Sequence, residues 1–287
     1  MSDLQPQPCS WQVNGLQLSG LSWGRPEGRP VLALHGWLDN AASFSLLAPL
    51  LPDCHVVALD LTGHGRSDCR SADASYQIWD DLPEICGVID ALGWERFSLM
   101  GHSRGGVIST LFASCFPEQV SHLILLDALL PQPINETEFP TQLRKFMLEK
   151  SHWQNRDKRV FPSMDAAVAI RDDGSLPSAA ARLLAERNLA ACDGGYTWTT
   201  DNRLRGASAV KLTAGHLQAV LHALSMPTLL LLAEQGLGGQ HPQIVALARE
   251  GIARLEVHTL PGGHHFHMED SVGRVSQDIA QFLESSP

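Results

Sequence analysis

The eleven residues RFSLMGHSRGG, 96–106, decide how this chain is read. Phe97 to Met100 form an apolar run of strand length, and Val107 to Cys115 carry a helical pattern. The GxSxG pattern of Gly101, Ser103 and Gly105 therefore falls in a turn between a strand and a helix. A serine in such a turn sits in strained backbone, and small residues two positions to either side let the chain pass so close that the hydroxyl stands exposed. The first amides of the following helix favour negative charge beside it. A glycine-rich loop with an incidental serine is the plain alternative, and the strand and helix on either side argue against it. Ser103 is read as a nucleophile.

Working outward, further apolar runs recur at VLALHG (31–36), HVVALDL (55–61), VSHLILLD (120–127), PTLLLLA (227–233) and ARLEVHTLP (253–261), with helical stretches between them. Continuous apolar strands alternating with amphipathic helices suit a parallel sheet covered on both faces. The predicted fold class is α/β, with a mostly parallel sheet flanked by helices. Asn14-Gly15, between short alternating runs, signals a hairpin and hence an antiparallel edge. Between Pro131 and Met226 the alternation stops: 139–149 and 177–191 have apolar residues at helical spacing, and no run reads as a strand. This pattern predicts a core of residues 1–130 and 226–287 carrying an inserted helical cap, 131–225.

A length of 287 residues suits one such core with its insertion. The formal charge of -10 opposes binding to nucleic acid or to an anionic membrane, which needs clustered Lys and Arg, and favours a small-molecule substrate. Cys9, Cys54, Cys69, Cys86, Cys115 and Cys192 are scattered without CxxC spacing and read as free thiols in a reducing compartment. The start MSDLQPQPCSW lacks the basic and apolar segments of a secretory signal, the end ESSP is no peroxisomal signal, and no apolar run reaches membrane-span length. A cytoplasmic location is expected.

A serine hydroxyl is a poor nucleophile at neutral pH and needs a base within hydrogen-bond reach. PGGHHFHMED (261–270), after the last expected strand, offers His264, His265 and His267. With this loop, LHGWLDNAASF (34–44), ALDLTGHGRSD (58–68) and GHSRGG (101–106), the chain resembles the α/β-hydrolase superfamily. More narrowly it resembles that superfamily's serine-hydrolase-like esterases, the Kraken group among them. DGGYTWTTDNRL (193–204), inside the insertion, extends the resemblance to nearly the whole chain.

The resemblance implies that the catalytic histidine follows a glycine, which selects His264. It implies an oxyanion hole built from the backbone amides of Arg104 and of Trp37 in the HGW pattern. The family's usual acid follows the strand PTLLLLA, but the turn here reads AEQGLGG, with Gly236 where an aspartate is usual. Asp127, at the end of LILLD, occupies the alternative position after the preceding strand; Glu234 is its rival. Asp60 and GHGRSD (63–68) lack the Lys and Ser/Thr of a phosphate loop and read as structural. Three clustered histidines raise a metal site, but no partner cluster with zinc-ligand spacing stands elsewhere along the chain. No metal and no organic cofactor is expected, and His265 and His267 are assigned to packing or loop hydrogen bonds.

The implied activity is hydrolysis of small carboxylic esters through an acyl-enzyme on Ser103. Thioesters, lactones or carbon–carbon bonds cleaved by the same triad, and a non-catalytic binding protein on this fold, are the alternatives. Related dehalogenases and epoxide hydrolases carry an aspartate where this chain has Ser103. Only the Arg104 amide is needed, so its guanidinium either pairs with a carboxylate of core or cap or binds a carboxylate on the substrate.

Overall fold

Asn14 and Gly15 form the turn that their spacing signals. Both take positive φ, 52° and 80°, and join strand β1 (Gln7–Val13) to β2 (Leu16–Trp23) as an antiparallel pair. The structure is a computed structural model that describes residues 5–171, 176–237 and 242–285. After the hairpin come β3 (Arg29–Leu34), β4 (Cys54–Leu59), α1 (Leu82–Leu92), β5 (Phe97–His102), α2 (Arg104–Cys115) and β6 (Val120–Leu126). The insertion contributes α3 (Phe139–Gln154), β7 (Val160–Phe161), α4 (Met164–Arg171), α5 (Ser178–Asn188), β8 (Leu189–Cys192), β9 (Gly195–Trp198) and α6 (Ala214–His222). The chain closes with β10 (Thr228–Ala233), α7 (Pro242–Gly251), β11 (Leu255–Leu260) and α8 (Val272–Ser285).

All six apolar runs are strands of one eight-stranded sheet, ordered β1-β2-β4-β3-β5-β6-β10-β11. Every neighbouring pair from β4 to β11 is parallel, and the hairpin supplies the antiparallel edge through β2. β3 lies between β4 and β5, so the connections diverge there and open a crevice beyond the carboxyl ends of β3 and β5. Alternate side chains of the central strands feed two cores. Leu32, Leu34, Leu99 and Leu125 pack with Ile85 and Val88 of α1 and with Ile108 and Phe112 of α2. Val31, Ala33, Met100 and Ile124 pack on the other face with Phe44 and with Ile279 and Phe282 of α8. Strands buried on both faces cannot alternate polar with apolar residues, which is why they read as continuous apolar runs.

The insertion differs from the all-helical expectation. β7, β9 and β8 form a small antiparallel sheet of their own. Its hairpin pairs Cys192 with Gly195 across Asp193-Gly194, a two-residue loop of the Asp-Gly type, and its strands are too short to show a period. Leu217 and Leu221 of α6 are buried in the first core, so the chain rejoins the sheet before residue 226.

The insertion is tied to the sheet by buried polar contacts. At the end of α5, Arg187 donates from Nε to both oxygens of Asp60 at 2.9 and 3.0 Å, and its Nη2 lies 2.8 Å from Oδ2. Asp60 also accepts the amides of Ala41 (2.7 Å) and Arg66 (2.9 Å), so the GHGRSD loop is folded around this carboxylate. Asn188 accepts the Gly65 amide at 2.9 Å, and the Trp37 indole donates to the Leu204 carbonyl at 2.8 Å. Removing one member of a buried ion pair leaves the other charge uncompensated. Asp60→Ala is expected to lower stability by about 3–5 kcal/mol in urea denaturation. A loss below about 1 kcal/mol, the range of exposed pairs, would show that the insertion is held by other contacts.

Candidate active site

Ser103 is placed by close backbone packing. β5 is buried throughout, and the chain turns directly into α2 with Ser103 at φ 50°, ψ -119°, a region that favours glycine. A Cβ on Gly105 would be driven into the Leu34 carbonyl, and one on Gly101 into the Gly105 carbonyl, so only glycine lets the turn seat here. The Ser103 amide donates to the Leu126 carbonyl of β6 at 3.1 Å.

The loop after β11 delivers His264. Its Nε2 lies 2.8 Å from Ser103 Oγ, and its Nδ1 lies 2.7 Å from Asp127 Oδ2. A carboxylate only accepts, so Nδ1 carries the proton and Nε2 presents a lone pair to the serine hydroxyl. Asp127 follows β6 directly, is buried, takes φ 50°, and also accepts the amides of Ala233 (3.1 Å) and Leu237 (2.7 Å). Ser103, His264 and Asp127 are therefore brought together from three strand ends. Glu234 is not part of this group: it is exposed, and its amide donates to the Leu260 carbonyl. A Cβ on Gly236 would fall inside the Asp127 carboxylate, so the glycine leaves the volume that the acid from β6 fills. Gly238 and Gly239 of the AEQGLGG turn lie outside the described residues.

Trp37 and Arg104 flank the crevice. Trp37 is half-exposed in the loop after β3, where Leu38 takes φ 61° and Asp39 N donates to Gly36 O at 3.2 Å. His35 braces that loop with both ring nitrogens: Nδ1 donates to Gly36 O at 2.7 Å and Nε2 accepts the Leu61 amide at 3.0 Å. Arg104 opens α2, so its amide belongs to the first turn, whose N–H groups lack intrahelical acceptors. Its guanidinium donates from Nη2 to the buried Asp81 at 2.8 Å, the first of the two alternatives left by the sequence.

A second layer was not legible as such. His102, the residue before the nucleophile, donates from Nε2 to the His264 carbonyl at 2.9 Å, and its ring stands 4.7, 4.8 and 4.3 Å from those of His264, His265 and His267. His267 lies 2.9 Å from Ser43 Oγ, and His265 Nε2 lies 3.1 Å from Asp39 Oδ2, so both make the loop hydrogen bonds expected of them. Arg171 at the end of α4 pairs with the other Asp39 oxygen. The loop histidines had no metal-ligand partner by spacing along the sequence; the fold brings Asp39 and His102 to His265 within ligand reach. Asp39 stood in the quoted HGWLDN segment and His102 in the elbow itself, but their pairing spans 63 to 226 positions and leaves no local pattern.

Burial pushes the His35, His64, His102 and His267 rings toward the neutral form, and the neighbouring histidines add to this at His64, His102 and His267. Burial pushes the Asp39 carboxyl up, but the hydrogen bond from His265 and the charges of His265 and Arg171 outweigh it and hold the group well below the usual carboxylate range. Two hollows adjoin the relay. One, behind Asp127, is lined by Leu129, Leu130, Leu232 and Ile244; the other is an open groove along His264 with Leu176, Pro177 and Glu269.

Residues 29–271 match the family model described as alpha/beta hydrolase fold. Over 93% of this chain, and 85% of the relative, the sequence is 33% identical to a serine hydrolase-like protein of Danio rerio. A crystal structure of a hypothetical protein from Pseudomonas aeruginosa PAO1 superposes with a TM-score of 0.91 at 40% identity, covering 97% of this chain and 99% of that one. A thioesterase domain from the curacin biosynthetic pathway superposes with a TM-score of 0.82 at 27% identity, covering 98% of this chain and 100% of that one.

The buried histidines set a pH dependence of stability. An unfolded chain titrates them near about 6.5, whereas the folded chain keeps them neutral to lower pH. Below about 6.5 the unfolded state therefore binds more protons, and stability falls as pH drops by up to about 1.4 kcal/mol per pH unit for each ring. Asp39 is ionised in both states over that window and contributes no slope. The urea midpoint is expected to be lower at pH 5.5 than at pH 7.5, and a flat profile would mean that the rings charge in place.

Proposed function

The chain belongs to the α/β-hydrolase fold family, within its serine hydrolase-like group, and from that premise we propose that it cleaves carboxylic esters of small molecules through an acyl-enzyme on Ser103. The observation that carries this reading is the unbroken relay of 2.8 Å from Ser103 Oγ to His264 and 2.7 Å from His264 to Asp127. As Ser103 Oγ attacks the ester carbonyl, its proton passes to His264 Nε2. Asp127 holds the ring in the required tautomer and stabilises the imidazolium. The amides of Trp37 and Arg104 receive the oxyanion. His264 then protonates the leaving alcohol, and water attacks the acyl-enzyme with the same base. This sequence uses no metal and no cofactor.

Residues 131–225 act as the cap in this reading, since Leu176 and Pro177 share the open groove with His264. All six cysteines are free, which supports a reducing, cytoplasmic setting. No helix among the described residues is long and apolar enough to cross a membrane. A second reading, thioester cleavage by the same steps, is favoured by the likeness to the thioesterase domain.

Ser103→Ala is expected to abolish fluorophosphonate labelling and turnover of p-nitrophenyl esters and matched thioesters; undiminished turnover would refute the assignment. Asp127→Asn should lower kcat by about 10⁴, as loss of the tautomer-holding acid does elsewhere, while Glu234→Gln stays near wild type. The reverse ranking would move the acid to the usual strand. With its guanidinium on Asp81, Arg104→Met should slow a neutral ester and a dicarboxylic half-ester equally. A selective loss on the half-ester would place the arginine on the substrate.

A further inference from the structure

We propose that Asp39, His102 and His265 form a binding site for a transition-metal dication such as Zn²⁺, and that an ion held there suppresses the hydrolase. The three donor atoms lie within 4.8 Å of one another, with Asp39 Oδ2 at 3.1 Å from His265 Nε2 and 3.8 Å from His102 Nδ1. An ion bonded at about 2.0–2.1 Å to such donors needs them about 3.3 Å apart. One pair already meets that spacing, and side-chain rotation closes the others.

The His102 tautomer suits a ligand. Its Nε2–H is committed to the His264 carbonyl, the orienting bond that metal-bound histidines usually make, so Nδ1 presents its lone pair. That lone pair makes no hydrogen bond and faces a carboxylate oxygen in a buried place. Two acceptors facing each other away from water are unfavourable unless a cation stands between them. The backbone leaves the space: a Cβ on Gly36 would lie 2.9 Å from both Asp39 Oδ2 and His102 Nδ1. Arg171 occupies only the other Asp39 oxygen. When His265 shifts its proton to Nδ1, which has no partner to lose, Nε2 becomes the third ligand. Two imidazoles with one carboxylate suit Zn²⁺ over Mg²⁺ or Ca²⁺, and leave the fourth position to water.

Suppression rests on the assignment of His264 as the base. The His102 and His264 rings are 4.7 Å apart, so the ion stands close to the ring that must become imidazolium when Ser103 loses its proton. Like charge opposes that step, which lowers kcat and leaves KM little changed.

Titration calorimetry with ZnCl₂ on the full chain reads the site independently of catalysis, and the visible absorption of Co²⁺ reports nitrogen ligation. His265→Gln and Asp39→Asn should each weaken binding at least about tenfold, whereas His264→Ala should retain it. Melting curves show that the variants fold; should Asp39→Asn fail to, His265→Gln decides alone. No binding, binding indifferent to His265→Gln, or binding lost with His264→Ala would overturn the site. An ion on the exposed His258–Asp278 pair survives His265→Gln and is recognised by that. Zinc is expected to lower kcat at least about tenfold. Bound zinc without that fall would overturn the suppression and leave the site standing, and a chain inactive on every ester would fail the hydrolase reading without touching the calorimetry.

Discussion

A buried carboxylate is tolerated only when donors converge on it, and Asp127 gathers donors from three segments of the chain. Two are amides of β10 and of the turn after it, and the third is the His264 ring from the loop beyond β11. One side chain at the end of β6 thus ties the carboxyl ends of three adjacent strands, and the strained φ of Asp127 is the local cost of aiming it there. The elbow at Ser103 is tied to the same place, because its amide donates to the last residue of β6. Gly236 follows from this arrangement: a side chain between β6 and β11 would occupy the volume of the acid itself.

Behind the relay, burial pushes the His35 and His102 rings toward the neutral form, and each donates to backbone. His35 braces the loop after β3, and His102 braces the loop after β11, so each donates to a carbonyl of a segment that carries a functional group. Asp39 connects His265 to Arg171 of the insertion. The loop that carries His264 is therefore linked through two bonds to the packing of α4.

The core was legible because its central strands, β3 to β6 and β10, are buried on both faces, which writes burial directly as an apolar run. The elbow was legible because close packing at Gly101 and Gly105 admits only one residue type. The contact of Asp127 with His264 was foreshadowed by Gly236, which stands in the turn where the resemblance implies an acid. The β8–β9 hairpin was carried by Asp193-Gly194 alone, with strands of four residues too short for a period. The Asp60–Arg187 and Asp39–Arg171 pairs join positions more than a hundred residues apart, and charged residues in a helix such as α5 read equally as a solvated face.

The contact of α5 with the GHGRSD loop bears on how this architecture can diversify. Arg187 crosses from the insertion to a carboxylate that also organises the loop after β4. An insertion borrowed from another protein would have to bring a guanidinium to the same point in space, or leave Asp60 stranded beneath it. The insertion is therefore not a free module: the turn of α5 that carries Arg187 and Asn188 is bolted to the loop after β4, and any exchange of the insertion must reproduce that contact.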